Sequence, residues 1–80
     1  MVERLVGKKA VGIKQSIKAI KNSKVKALYV AMDAENRLTD PVVELAKENS
    51  IEIHYVNTMK ALGKLCGIDV GAATAVLLED

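Results

Sequence analysis

Gly12 is followed by Ile13, Lys14 and Gln15, and lysines recur at positions 14, 18 and 21. That i, i+4, i+7 spacing places three ammonium groups along one flank of a helix. Lysine donates to guanine O6 and N7, and glutamine pairs with adenine N6 and N7. A glycine at a helix start lets another chain's backbone come close. The free N–H groups of a first helical turn attract phosphate or electronegative base edges. The chemistry on offer is therefore recognition of a polyanion. A glycine boundary followed by a solvated lysine face accounts for the same residues, and the spacing by itself leaves both readings open.

Catalytic readings fare worse. His54 is the only histidine and alternates along a strand-like segment, which makes it a structural or surface residue. Cys66 is the only cysteine and sits on the apolar side of a helical pattern, as a small buried hydrophobe would. One Cys and one His do not supply the four ligands of a zinc site. Glu44 and Glu48 have the spacing of a solvated helix face. No GxxxxGK[ST] motif is present, and Gly7 to Gly12 lacks the spacing of a dinucleotide loop. The reading is of a protein that is not an enzyme and has no cofactor and no metal.

Charge is segregated along the chain. Residues 1–26 hold eight basic side chains against one acid, or +7, whereas residues 27–80 hold four against nine, or −5. The net +2 thus conceals one positive end, suited to a polyanion whose counterions are released on contact. Aromatic content limits which kind. With no Phe, no Trp and only Tyr29 and Tyr55, the chain lacks the rings on which single-strand binders stack bases. A nucleic-acid partner would have to be a shaped, paired element met through phosphates and purine edges. The lone cysteine excludes an internal disulfide framework and suits a reducing cytoplasm. The longest late apolar run, Val70 to Leu78, is far too short to span a bilayer, and MVERLV is not a signal peptide.

The elements that must hold these residues follow from periodicity. Val2 to Val6 reads as a weak helical turn ended by Gly7, and Lys8 to Val11 as a short strand. Ile13, Ile17 and Ile20 give a helix an apolar stripe beside the lysine flank, with Gly12 at its N-cap and Asn22-Ser23 at its end. Val25 to Met32 reads as a central strand. Asp33 to Thr39 reads as a loop, and Asp40-Pro41 as a helix start with Asp as cap and Pro at the first position. Val42, Leu45 and Ala46 form that helix's buried face, and Asn49-Ser50 close it. Ile51, Ile53 and Tyr55 alternate with Glu52 and His54, the pattern of a strand with one wetter face. Thr58 caps a third helix that buries Leu62, Leu65 and Cys66 and closes at Gly67. A loop from Ile68 to Gly71 leads into a last strand, Ala72 to Leu78. Alternation of this kind predicts an α/β fold, a three-layer α/β/α sandwich on a four-stranded sheet, in a chain short enough for a single domain. Strand order does not follow from the pattern.

Three segments, GIKQSIKAIK, ALYVAMDAE and ALGKLCGIDVGAA, in this order and spacing, resemble the kink-turn RNA-binding ribosomal protein family of the large-subunit seven-Ae and thirty-e type, in its short bacterial form. The resemblance covers essentially the whole chain, 1–80, as one kink-turn RNA-binding domain, and it rests on the three segments together. It implies the α/β/α sandwich with a mixed sheet, and recognition of a sharply bent RNA helix with tandem sheared G·A pairs. The helix opening at Gly12 and Ile13 would enter the groove beside those pairs. Lys14 and Gln15 would meet purine edges, and Lys18 guanine or a nearby phosphate. Ile68, Asp69 and Val70 match the apolar loop that packs against nucleotides extruded at the bend, and Glu35 a position that helps hold an extruded base. Archaeal and eukaryotic relatives typically carry Gly-Thr-Asn-Glu where this chain has Gly12, Ile13, Lys14 and Gln15. That departure resembles the bacterial pattern and favours phosphate attraction.

The expected protein is a cytoplasmic monomer without a membrane partner that stabilises kink-turn RNA, either on the ribosome or in riboswitch-type RNA. Two alternatives remain on the same residues. In one, the fold is a protein-interaction adaptor whose loop Ile68 to Val70 meets a partner protein. In the other, it is the detached RNA-binding domain of a modifying enzyme.

Overall fold

A computed structural model describes residues 7–22 and 24–79. Elements follow in the order β1 (Lys9–Val11), α1 (Ile13–Asn22), β2 (Val25–Ala31), α2 (Asn36–Glu48), β3 (Glu52–Val56), α3 (Met59–Leu65) and β4 (Thr74–Leu78). The expected helical turn at Val2 to Val6 lies outside the described residues.

The sheet has four strands in the order β1-β4-β2-β3. β4 runs antiparallel to both neighbours, while β2 and β3 are parallel, so the sheet is mixed, as expected. The last strand to be made thus occupies an interior position, and Thr74, Ala75 and Val76 are fully buried. β2, read as central, is indeed flanked on both sides; its Ala27, Leu28, Val30 and Ala31 are buried. Lys26 is the extra residue where the register with β4 shifts between Val25 and Ala27, which turns its ammonium outward.

Period-two alternation sends each strand's side chains to two cores. On one face Leu28, Val30 and Val76 meet Ala19 and Ile20 of α1 and Val42 and Ala46 of α2. On the other, Ala31 and Ala75 meet Leu62 of α3 and the neighbouring Cys66. Helices on both faces make the three layers. Both cores are aliphatic, as a chain without Phe or Trp requires.

One element begins elsewhere than its residues suggest. α2 starts at Asn36, and Pro41 lies inside it rather than at its first position. Glu35 occupies the N-cap in an extended conformation, with no side-chain cap bond. The carbonyl of Glu35 accepts the N–H groups of Leu38 (3.0 Å) and Thr39 (3.2 Å), winding an added turn ahead of the proline. Burial favours that turn, since it carries Thr39 to 4 % exposure. The cost is one intrahelical bond, because Pro41 has no N–H for the carbonyl of Arg37. The last strand is also shorter than its apolar run: Ala72 and Ala73 lead into β4 without belonging to it.

The ends of α2 and α3 and the start of α3 agree with the sequence, whereas β1, β2 and β3 are each off by one residue, and Ser23 lies outside the described residues. Ser50 adopts a positive φ of 56° after α2, and the Ile51 N–H returns to the Ala46 carbonyl at 2.9 Å. Gly67 does the same for α3, with φ 76° and an Ile68 N–H to Gly63 carbonyl bond of 3.0 Å. Thr58 caps α3 by accepting the Ala61 N–H at 3.0 Å. Among the described residues, no helix is long and apolar enough to cross a membrane.

Candidate nucleic-acid interface

Sheet direction decides where the separated segments meet. Val11 at the end of β1 pairs with Ala75, Val30 near the end of β2 with Thr74, and Ala31 with Val56 at the end of β3. One end of the sandwich therefore gathers the N-terminus of α1, the turn 32–35, the turn 57–58 and the loop 67–73. Gly12 to Gln15, Glu35 and Ile68 to Val70 all lie there, although 58 residues separate the first of these from the last.

Gly12 makes the junction between β1 and α1. Its φ is 106°, a conformation that side-chain-bearing residues rarely adopt, and a Cβ there would meet nothing within 4 Å. Backbone geometry, not crowding, thus requires the glycine, and the space above it is open. Its N–H donates to the Thr74 carbonyl at 2.8 Å, and its carbonyl accepts the Ser16 N–H at 2.9 Å, the first bond of the helix. Lys14, Gln15 and Lys18 are exposed. Ile13 is half-buried and packs against the first core.

Gln15 and Lys18 also share a shallow hollow of about 210 Å³ with Ala10, Ala19, Asn22 and Leu78. That hollow runs from the tip back along the β1 side of α1. Gln15, Lys18 and Asn22 are its polar lining, and exposed Lys14 stands at the tip beside it. The first turn of α1 contains no acidic residue. A lysine there sits at the positive pole of the helix, an arrangement costing about 0.3–1 kcal/mol when no anion is present. An arriving phosphate reverses its sign.

The loop 67–73 is held tightly against α3. The Ala72 N–H donates to the Met59 carbonyl at 3.0 Å, and the Ala31 N–H to the Ala73 carbonyl at 2.9 Å. A Cβ at Gly63 would overlap the Val70 carbonyl oxygen, so only glycine lets the loop lie this close to the helix. With its backbone fixed, Val70 projects outward at 69 % exposure, and Asp69 is exposed beside it. Ile68 instead packs half-buried against the second core and anchors the loop.

Glu35 stands in the neighbouring turn and is exposed. Its Oε2 accepts from Arg37 Nε at 2.8 Å, which leaves the rest of the carboxylate free to accept a base amino group. Asp33, in the same turn, is already engaged: its Oδ1 accepts the Met59 N–H at 2.7 Å and helps cap α3.

Several residues at this end carried no sequence signal as site residues. Met32 is 63 % exposed and follows directly on β2, where the apolar run had marked it as strand. Ser16 and Thr74 are buried beneath the tip; small polar residues inside apolar runs could have flagged them, but not their partnership. Cys66 and His54 take the places expected of them. Burial pushes the Cys66 thiol up from its ordinary value, partly offset by the charge of Lys9. His54 stacks on Tyr29 with ring centroids 5.1 Å apart and touches Glu52 at 2.7 Å, on the exposed edge strand. Among the described residues no group of three or more His, Cys, Asp or Glu could hold a metal ion.

Comparison with known proteins bears on this geometry. A family model described as "Ribosomal protein L7Ae/L30e/S12e/Gadd45 family" matches residues 4–80. The chain is 49% identical to the RNA-binding protein TTE2299 of Caldanaerobacter subterraneus subsp. tengcongensis over 94% of its own length and 92% of the relative's. It is 47% identical to an RNA-binding protein of Bacillus pumilus, covering 85% and 83% of the two chains. It is 39% identical to the RNA-binding protein YbxF of Geobacillus stearothermophilus, covering 91% and 89%. A solved structure of a protein with unknown function from Bacillus halodurans shares the fold, with a TM-score of 0.79 at 18% identity over 89% of this chain and 71% of the other.

Proposed function

This chain belongs to the ribosomal protein L7Ae/L30e/S12e/Gadd45 family, and from that premise we propose that it is an RNA-binding protein that recognises and stabilises kink-turn RNA. Its work is binding, not catalysis. The observation that carries the reading is the convergence of Gly12, Lys14 and Gln15 with Glu35 and with Asp69 and Val70 at one end of the sandwich. The bacterial relatives named as RNA-binding proteins support it.

Each part of that surface has a task suited to its chemistry. The tip of α1 enters the groove beside the sheared G·A pairs, where backbone N–H groups, Lys14 and Gln15 meet purine edges. Lys18, one turn on, meets guanine or phosphate. Val70 covers the face of an extruded nucleotide, and Glu35 accepts from its edge. A tight bend crowds phosphates, so the free RNA favours the open form. The protein shifts that equilibrium only by as much as it binds the bent form better. A monomer acting through residues 1–80 as one domain in the cytoplasm suffices, with ribosomal or riboswitch-type RNA as the target.

Titration of a kink-turn RNA, and of the same RNA with its G·A pairs disrupted, tests the reading. Tighter binding to the intact kink-turn is expected. Equal affinities would leave only charge attraction and would defeat it.

A further inference from the structure

Beneath the tip of α1 lies a polar pair in a mostly aliphatic interior. Ser16 Oγ and Thr74 Oγ1 are 2.9 Å apart, and both residues are 0 % exposed. The two lie 58 residues apart in the chain. The side-chain hydrogen bonds of Glu35, Asn49, Thr58 and Asp33 lie at exposed positions, and buried Thr39 bonds only locally, to the Asn36 carbonyl at 3.4 Å.

A hydroxyl pair is an uneconomical way to fill a core. Replacing both partners by apolar groups of the same shape is close to neutral for stability. What such a pair does supply is direction, because the bond forms at one separation and orientation only. Thr74 holds the tip at two points: its carbonyl accepts the Gly12 N–H at 2.8 Å, and its side chain bonds Ser16 one turn further along the helix. The apolar stripe seats the helix on the sheet, and the second bond adds a directional tie close to the tip. Thr74 also directly follows the loop 67–73, whose Ala73 carbonyl is bound by the Ala31 N–H at 2.9 Å. The same strand end therefore positions the lysine-bearing tip and the apolar loop.

Resting on the RNA-binding reading above, we propose that Ser16 and Thr74 are positioning residues for RNA recognition. Their bond sets the α1 tip against the Ile68 to Val70 loop, so that groove and extruded nucleotide are met by one preorganised surface. Neither side chain touches RNA. Ordering the two segments in advance removes that cost from the binding step.

The test uses the full chain with Ser16→Ala, Thr74→Val and the double variant, against a kink-turn RNA and its G·A-disrupted counterpart. The double variant is expected to melt cooperatively near the wild-type temperature. It should bind the kink-turn about tenfold more weakly, the factor equivalent to one ordinary hydrogen bond. Binding to the disrupted RNA, which depends on charge alone, should stay unchanged, and Thr74→Ser should restore most of the kink-turn affinity. A merely structural role would lower both affinities together or neither. If the double variant fails to fold, Ser16→Ala carries the test, because alanine preserves the helix. Undiminished kink-turn affinity in a folded variant overturns the inference while the function stands. Equal affinity of the wild type for both RNAs overturns the function, and the inference falls with it.

Discussion

Helices α1 and α2 pack beside each other on one face of the sheet, and each buries an apolar stripe in the same core. They face solvent differently. From Ile13 to Asn22, α1 carries Lys14, Lys18 and Lys21 and no carboxylate. From Asn36 to Glu48, α2 carries Arg37 and Lys47 among Asp40, Glu44 and Glu48, so opposite charges recur at helical spacing and compensate one another. α1 has no such compensation and places Lys14 in its first turn, against its own dipole. The fold needs only the buried stripes, as α2 demonstrates. The uncompensated charge of α1 is a local cost that an anionic partner explains.

The sharpest way to break this contrast is to truncate one charge on each helix. Lys14→Ala should weaken binding to a kink-turn RNA by about 1–3 kcal/mol. Glu44→Ala should leave it within about 0.5 kcal/mol, since it lies on the compensated helix. Titrations at several salt concentrations add detail. Replacing Lys18 by alanine should reduce the slope of log K against log salt by about 1 if it contacts phosphate. Losses of similar size for Lys14→Ala and Glu44→Ala would erase the distinction between the helices.

The starts of the two helices differ as well, and stability reports on them. Gly12 opens α1 at a φ of 106°, with nothing near its missing side chain. Gly12→Ala therefore imposes backbone strain without a clash, and should destabilise the protein by about 1–2 kcal/mol in denaturant unfolding. The same strain tilts the tip, so RNA affinity should fall too. A variant as stable as the wild type would mean that the junction relaxes freely, and that the tip is not held by its glycine.

How much of this could be foreseen depended on the range of the interaction concerned. The apolar stripe of α1, the Thr58 cap and the Gly67 terminus are local, set by neighbours within one or two turns, and the residues display them openly. The alternation of Ile51 to Tyr55 and the aliphatic core were likewise visible. The placement of β4 between β1 and β2 was not, because pairing across more than forty residues leaves no periodicity behind. The site divides in the same way. Lys14, Gln15 and Lys18 are candidates by type and spacing, which left a solvated lysine face equally open. Glu35 and the loop at Val70 were reachable only through resemblance to a family, and the link from Ser16 to Thr74 through neither. Asp40-Pro41 misled for a related reason. It is a good local start signal, overridden by a helix start one turn earlier, at Asn36, that buries Thr39.

That override supplies the smallest effect. Pro41 lies inside α2, where it leaves the Arg37 carbonyl without its helical donor. Proline is about 3 kcal/mol less favourable than alanine in a helix interior. Two terms reduce the penalty here. Arg37 and Pro41 both lie at exposed positions on the solvent side of α2, where water relieves an unmet carbonyl, and proline restricts the unfolded chain by about 0.4–1 kcal/mol. Pro41→Ala should therefore stabilise the fold by about 1 kcal/mol in urea unfolding and leave RNA affinity untouched. Because α2 is distant in role from the lysine-bearing tip, the pair of results would show that one helix can be strengthened without reaching the other. A drop in stability would instead mean that the first turn of α2 depends on the rigidity of Pro41. The glycine-led and proline-bearing helices would then be alike in relying on a special residue near their start.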